Sequence, residues 1–228
     1  LSLTFWVTIF LLKSIAGIDV FDNREFPPPG KHTFHGLPFS LGTQSNKGNM
    51  CIKLDKNSKP LTIDVKKFAQ NIIFAHHIIP GSFGVNGLDE IEPTGNHIAD
   101  YIFISSDKTE YTVNIRGRFE IASGPSVQWS HNSRLGSALI PQLPFLAYPD
   151  QQNSLMDRDK GKWGETGKRQ MESIGAQAKW NYLWNWHNPE NSKRIDSIKI
   201  IPKGPGFIIS AITLGNIDEY PFVKDANR

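Results

Sequence analysis

The stretch that most constrains the fold lies near the C-terminus, at residues 179–214. It opens with four aromatic residues that alternate with smaller or polar ones, namely Trp180, Tyr182, Trp184 and Trp186. Side chains on a strand point to opposite faces with a period of two, so the pattern predicts a strand with all four aromatics on one face. Two more strands are predicted at residues 195–200 and 207–214, on either side of a Lys-Gly-Pro-Gly turn.

The rest of the chain also predicts short strands joined by turns. Residues 71–79 are almost continuously apolar, which is typical of a central strand covered on both faces. Residues 98–105 and 109–115 flank a Ser-Asp-Lys turn and predict a hairpin. Further strands are predicted at 18–21, 33–41, 50–54 and 61–65, the second of them with a bulge or an edge position at Gly36 and Pro38. About nine or ten strands with almost no helical periodicity predict an all-β fold, a two-sheet antiparallel jelly-roll sandwich.

One long segment, residues 124–178, has no periodicity. It is rich in Pro, Gly, Asn, Gln and Ser, and helical turns are predicted in this region only at 141–148 and 169–179. A loop of this length is uncommon inside a compact domain and is usually functional or disordered. We therefore expect the sandwich to carry one long irregular insertion here.

The first residues form an apolar run that ends in Lys13-Ser14-Ile15-Ala16-Gly17. Small residues at 14 and 16 fit a signal-peptidase site, which predicts a signal peptide at 1–16, cleavage before Gly17 and a secreted or periplasmic protein. The alternative is a buried first strand, because short apolar runs fit both interpretations. The expected domain organisation is a sandwich at 17–215 and a linker at 216–228 toward a downstream domain.

Charge and cysteine content narrow the function classes. The 228 residues carry 25 basic and 22 acidic side chains, a formal net charge of +3. We find no basic stripe along the sequence, so a nucleic-acid binder is not indicated. Cys51 is the single cysteine and cannot form an intramolecular disulfide. We expect it to be a small buried apolar residue beside Ile52 and Leu54.

A family resemblance begins at residues 30–39, Gly-Lys-His-Thr-Phe-His-Gly-Leu-Pro-Phe. This segment resembles the opening motif, G-(K/R)-x-T-F-x-G-(V/I/L)-P-F, of a galactose-binding-like β-sandwich attached to secreted bacterial glycoside hydrolases and related hydrolases. Residues 72–77, 101–116 and 184–198 fit the same pattern, so the resemblance covers about residues 18–214. It implies a non-catalytic accessory module that binds carbohydrate weakly and serves a downstream catalytic domain of the same polypeptide. The insertion at 124–178 departs from the family pattern, which leaves the ligand open.

Candidate ligand-binding residues come from the loops and from strand ends. Loop aromatics without a period, such as Trp129 and Trp163, could stack on sugar rings, and their alternative role is a small core that pins the loop. The arginines after the predicted 109–115 strand carry planar donors that suit sugar hydroxyls or a carboxylate, and their alternative is ordinary surface charge. For the 180–186 aromatics we favour the sandwich core. The predicted ligand contacts are Trp129, Trp163, Tyr148, Arg116, Arg118 and His97.

A structural Ca²⁺ is the one cofactor that the sequence suggests. Asp89, Glu92 and Asn96 crowd one loop, and Ca²⁺ prefers carboxylates and carbonyls; the alternative is a solvated acidic loop. The histidines lack metal-ligand spacing, and His76 and His77 should face opposite sides of a strand. Nucleophile-elbow and phosphate-loop motifs do not occur in the sequence, so we predict no catalytic residues. Two other functions stay open: a ligand-free module that packs against a catalytic domain, and a small hydrolase.

Overall fold

The computed structural model describes residues 6–9, 30–34, 37–41, 51–79, 95–117, 119–122, 145–146, 181–216 and 221, with side chains for all of these except 6–9, 33 and 145–146. The strands are β1 (Trp6–Ile9), β2 (Gly30–Phe34), β3 (Leu37–Leu41), β4 (Ile52–Leu54), β5 (Leu61–Lys67), β6 (Asn71–Ile78), β7 (His97–Ser105), β8 (Glu110–Arg116), β9 (Phe145–Leu146), β10 (Tyr182–His187), β11 (Ile195–Pro202) and β12 (Phe207–Gly215). These ranges contain no helix, and therefore none long and apolar enough to cross a membrane.

The strands form two large antiparallel sheets and a small hairpin. The central sheet has the order β1-β12-β6-β10-β9, with β4 also paired to β12. The second sheet has the order β5-β11-β7-β8, and β2 pairs with β3 as a separate hairpin. The predicted all-β antiparallel sandwich is therefore confirmed, and the hairpin adds a third layer to the two predicted sheets.

The inner core lies between the central and second sheets and is rich in aromatic residues. Trp184 and Trp186 of β10 are 2% and 6% exposed. The Trp186 ring stacks on Phe103 of the second sheet, with centroids 3.8 Å apart and an interplanar angle of 2°. Trp184 packs near Phe74 and Tyr101. The favoured interpretation of the aromatic stripe, as core, is confirmed for residues 182, 184 and 186, and residue 180 lies outside the described residues.

The opposite face of the central sheet is covered by the hairpin. Leu183 of β10 and Ile73 of β6 pack there against side chains of β2 and β3; the full cluster is Phe34, Leu37, Phe39, Leu41, Ile73, Ala75, Leu183 and Ala211. The Thr213 hydroxyl donates a hydrogen bond of 2.6 Å to the carbonyl of Pro38 and ties the two layers together. Every residue of β6 is buried, as the continuous apolar run at 71–79 predicted.

One strand prediction and one helical-turn prediction were wrong. Residues 33–41 were expected to form one strand, but they form the arms of a hairpin in which Phe34 lies opposite Leu37. A single strand would place these two side chains on opposite faces unless a bulge intervened, whereas a chain reversal puts both on the apolar face. The helical turn expected at 141–148 instead contains β9, which pairs with Tyr182 and Leu183 of β10.

The termini and two other predicted elements are described only in part. β1 pairs with β12 from Trp6 opposite Gly215 to Ile9 opposite Ile212. A strand at this place is what the alternative to the signal peptide predicted. This pairing does not test cleavage before Gly17, which stays a prediction, as does the linker at 216–228. The strand expected at 18–21 and the helical turn expected at 169–179 lie outside the described residues.

Backbone hydrogen bonds hold each of the two ends of the sandwich. At one end, which we call the loop end, Ile78 N donates to Ala122 O, Gly117 N to Asn96 O and Lys203 N to Ile98 O. At the other end, the turn end, Gln70 N donates to Gly215 O, Ser106 N to Arg194 O and Asn188 N to Gln70 O. These bonds hold neighbouring strand ends together across the sheets, and both ends are therefore fixed by the backbone.

Replacing Gly204 with alanine is expected to destabilise the loop end. A Cβ at this position would lie 2.4 Å from the carbonyl oxygen of His97 and 3.1 Å from the Cα of Ile98, both backbone atoms that a rotamer change cannot move. We expect the free energy of unfolding to fall by about 1–3 kcal/mol, measured by urea denaturation. Lys56→Ala is the control, since that exposed side chain belongs to the facing turn and should change stability by less than about 0.5 kcal/mol. Equal stability of G204A and the wild type would contradict the close approach.

Candidate functional site at the loop end

The structure brings together two of the residues predicted to bind ligand. His97 is the first residue of β7 and Arg116 the last of β8, and the two are direct cross-strand partners. Residues directly opposite in an antiparallel pair share a face, with Cβ atoms about 5 Å apart. Their side chains are 44% and 42% exposed. Both therefore lie on the solvent face of the second sheet, at the loop end.

Arg116 is held in one orientation by Glu120. Its Nη2 donates to Glu120 Oε1 at 2.6 Å, and its Nε and its backbone N–H donate to Oε2 at 3.1 and 2.8 Å. The Glu120 side chain is only 1% exposed, and its hydrogen bond raises the pKa of Arg116. The guanidinium also lies over the Phe119 ring, 4.5 Å from its centroid. One edge and one face of the guanidinium are thus occupied, and its plane is fixed.

A tight turn places this carboxylate behind the arginine. The backbone N–H groups of Phe119 and Glu120 both donate to the carbonyl of Arg116 at 3.1 Å, which turns the chain back on the end of β8. Gly95 N donates to Gly117 O at 2.9 Å and fixes the neighbouring strand start. Gly95 has a φ of 80°, a left-handed conformation that glycine adopts without steric cost.

Three further polar side chains surround this pair. His97 Nε2 lies 2.7 Å from Asp100 Oδ1, and Lys203 Nζ lies 3.6 Å from Asp100 Oδ2. Asn114 is exposed on β8 and lies opposite Asp100 in the register. We call His97, Asp100, Asn114, Arg116 and Lys203 together the loop-end patch. It combines fixed donors and acceptors on a rigid sheet, an arrangement that can bind a polar ligand.

Both long undescribed segments begin and end at the loop end. Residues 80–94 connect Ile79 with Gly95, and residues 123–180, apart from β9, connect Ala122 with Asn181. Ile79 N donates to Gly206 O, which places the start of the first segment at the loop end. The other predicted ligand residues, Trp129, Tyr148 and Trp163 in the second segment and Arg118 beside Gly117, lie outside the described residues.

The predicted Ca²⁺ site is described only at Asn96. Its backbone carbonyl accepts a hydrogen bond from Gly117 N at 2.8 Å. Asp89 and Glu92 lie outside the described residues. Within the part of the chain that the structure describes, no three His, Cys, Asp or Glu residues group as metal ligands. The calcium site therefore stays a prediction.

The two buried histidines have structural roles on opposite faces of β6. His76 Nε2 lies 2.8 Å from the carbonyl oxygen of Glu120, which can only accept, so the imidazole donates there and Nδ1 accepts from the Tyr101 hydroxyl at 3.0 Å. Burial lowers the pKa of His76 to about 3. Burial also lowers the pKa of His77, to about 4, against the opposing effect of a hydrogen bond that its imidazole donates to Asn181. Both imidazoles are therefore neutral at pH 7, and the predicted opposite placement is confirmed.

Sequence reasoning missed the residues that position the patch. Glu120 and Phe119 follow a strand end without any pattern that would mark them, and Asp100 lies inside a predicted strand. The four-residue spacing from Arg116 to Glu120 is a local signal for an ion pair only when the chain between them is helical, which it is not here.

The predicted burial of Cys51 is confirmed at 5% exposure, beside Ile208.

Comparisons with models of known protein families, with curated proteins and with solved structures gave no match to this chain.

Proposed function

We propose that this chain is a non-catalytic, carbohydrate-binding accessory module of a secreted, multidomain hydrolase. The observation that supports the proposal most strongly is the meeting of His97 and Arg116 as exposed cross-strand partners at the loop end. The segment that carries Trp129, Tyr148 and Trp163 begins and ends at the same end of the sandwich. Aromatic rings on loops beside fixed polar groups on a sheet would suit a sugar, which has apolar C–H faces and a rim of hydroxyls.

The rigidity of the patch favours binding. Glu120 and Phe119 fix Arg116, and Asp100 fixes His97, before any ligand arrives. A side chain that is already ordered loses less conformational entropy when it binds, and that loss otherwise costs about 0.5–1.5 kcal/mol for each immobilised side chain. Such preorganisation is valuable for a weak ligand like a glycan.

A second candidate is a module that packs against a neighbouring catalytic domain without a ligand. Phe68 favours this candidate, because its aromatic side chain at the turn end is 56% exposed and could be buried against a neighbouring domain. The two candidates use opposite ends of the sandwich. Mutations at the loop end and at the turn end therefore separate glycan binding from domain docking.

Replacing either Arg116 or His97 with alanine is expected to weaken glycan binding ~5–30-fold, since each loses a hydrogen-bonding group worth about 1–2 kcal/mol. Affinity electrophoresis through gels that contain soluble galactan, xylan, mixed-linkage β-glucan or dextran would measure the retardation of the protein. Glu110→Gln is the matched control, because Glu110 is exposed on the same strand but lies at its turn-end start, opposite Ile104 and away from the patch.

The proposal fails if none of these glycans retards a wild-type protein that still unfolds cooperatively. Equal weakening by Glu110→Gln would also contradict it, since the effect would then be unrelated to the patch. The hydrolase alternative would regain support if the purified chain released reducing ends from any glycan in the panel.

A further inference from the structure

We infer that the loop-end patch selects neutral glycans over acidic ones, and that Asp100, Asn114 and Lys203 set this preference. The inference rests on the proposed function and concerns the chemistry of the ligand at the same site. It comes from three properties of the patch: its paired charges, the occupied edge of its arginine and the alternation of donors and acceptors.

Both cations of the patch are paired with carboxylates. Arg116 is bonded to Glu120, and Lys203 Nζ lies 3.6 Å from Asp100. An approaching anion is attracted by one member of such a pair and repelled by the other, so it gains less than it would from a lone cation. An anionic sugar would therefore gain little attraction from the cations and would lose part of its hydration.

The edge of Arg116 that suits a carboxylate is already in use. Carboxylates prefer the two-pronged approach in which both oxygens accept from parallel N–H groups of one guanidinium. Glu120 takes the Nε and Nη2 edge in this way, from a position that is 1% exposed and that a ligand cannot displace. The remaining N–H groups of Arg116 can still donate to single acceptors, such as sugar hydroxyls.

The patch also presents acceptors, which a carboxylate cannot use. Asp100 has carboxylate oxygens, one of which accepts from the Nε2–H of His97. The amide of Asn114 adds both a donor and an acceptor. Hydroxyl groups donate and accept, and can satisfy both kinds of partner at once. A carboxylate only accepts and would face the oxygens of Asp100.

Arg118 and residues 80–94 and 123–180 together contain equal numbers of basic and acidic residues, so their formal charges sum to zero.

The test compares neutral and acidic glycans at two salt concentrations. Affinity electrophoresis would use galactan, xylan and mixed-linkage β-glucan against polygalacturonate and alginate, at low salt and with 0.3 M NaCl added (on the order of a 6 Å screening length). We expect neutral glycans to be bound at least ~10-fold more tightly than acidic ones, with less than about a twofold change on adding salt.

Arg116→Lys distinguishes donor geometry from charge. The variant keeps the positive charge but loses the planar donors, so we expect binding of neutral glycans to fall at least ~5-fold. Asn114→Ala should weaken neutral glycans by a similar factor. Glu110→Gln again serves as the control and should bind neutral glycans like the wild type.

The outcomes separate the inference from the proposed function. Tighter binding of polygalacturonate or alginate, weakened by salt and retained in Arg116→Lys, would overturn the inference and leave carbohydrate binding intact. Neutral binding that survives both Arg116→Lys and Asn114→Ala would overturn the inference too, because the site would lie elsewhere. Binding of neither class by a folded protein would overturn the proposed function, and the inference with it.

Discussion

Lowering the pH from 7.5 to 4.5 is expected to remove on the order of 5 kcal/mol from the free energy of unfolding, through His76 and His77 alone. Burial lowers the pKa of these imidazoles to about 3 and about 4, from an ordinary value of 6.5. A domain of this kind has a total stability of about 5–15 kcal/mol, so the change approaches complete unfolding.

The direction of this stability change follows from the pH at which the folded and the unfolded chain each bind protons. Below about pH 6.5 the unfolded chain protonates both histidines, while the folded chain keeps them neutral until its much lower pKa values. The stability is therefore fully present above pH 6.5 and is lost progressively as the pH falls toward 4. Asp107 titrates lower: hydrogen bonds from Lys193 and Thr109 hold its pKa at about 2, so its contribution is lost only at still lower pH.

Urea denaturation at pH 7.5, 6.5, 5.5 and 4.5 would measure this loss. His76→Leu removes one of the two groups and should roughly halve the slope of stability against pH, although the variant starts from a lower stability because the Tyr101 hydroxyl and the Glu120 carbonyl lose their partner. Ile78→Val is the control, because it changes a buried position of the same strand without removing a titratable group, and it should leave the slope unchanged. Stability that stays flat between pH 6.5 and 4.5 would contradict the buried, neutral state of both histidines.

Replacing Trp186 with alanine is expected to cost about 3–5 kcal/mol. Trp186 is 6% exposed, stacks flat on Phe103 of the second sheet and lies 6.0 Å from the Tyr111 ring. The indole therefore joins the two sheets, and its removal leaves a cavity at their interface. In a domain of this size the melting temperature should fall by roughly 6–20 °C, measured by calorimetry or circular dichroism.

Phe68→Ala is the matched control for this change. It also removes an aromatic side chain, but one that is 56% exposed, so we expect a change below about 0.5 kcal/mol. Trp186→Phe should recover much of the loss, because a smaller ring still fills part of the space between the sheets. A similar cost for Trp186→Ala and Phe68→Ala would contradict the packing of the inner core.

The strand pattern could be predicted because it depends on local periodicity. The alternation at 180–186 and the apolar run at 71–79 show which faces must leave water, whatever the strands pack against. The hairpin at 30–41 could not be distinguished from a bulged strand, because Phe34 and Leu37 reach one face by either route. Only the covered outer face of the central sheet, with Leu183 and Ala211, decides for the hairpin.

For the candidate site, the sequence identified two exposed residues but not their supports. His97 and Arg116 are 19 positions apart in the chain, and they meet because β7 and β8 pair in one register. Nothing in the sequence marks Glu120 or Asp100 as a support of the site, since many acidic residues occur at similar places in a chain. Their roles depend on distances that only a folded chain defines.

By itself, the sequence determined that this chain is an all-β protein with a strongly apolar central strand and a buried aromatic stripe. The physical reason is that burial of apolar side chains depends on their spacing along one strand. The tertiary structure decided which strands are neighbours, which layer covers each face, and how Arg116 is held beside His97. Those outcomes depend on contacts between residues far apart in the chain, where the direction of a hydrogen bond or the pairing of a charge is settled only after the sheets have formed.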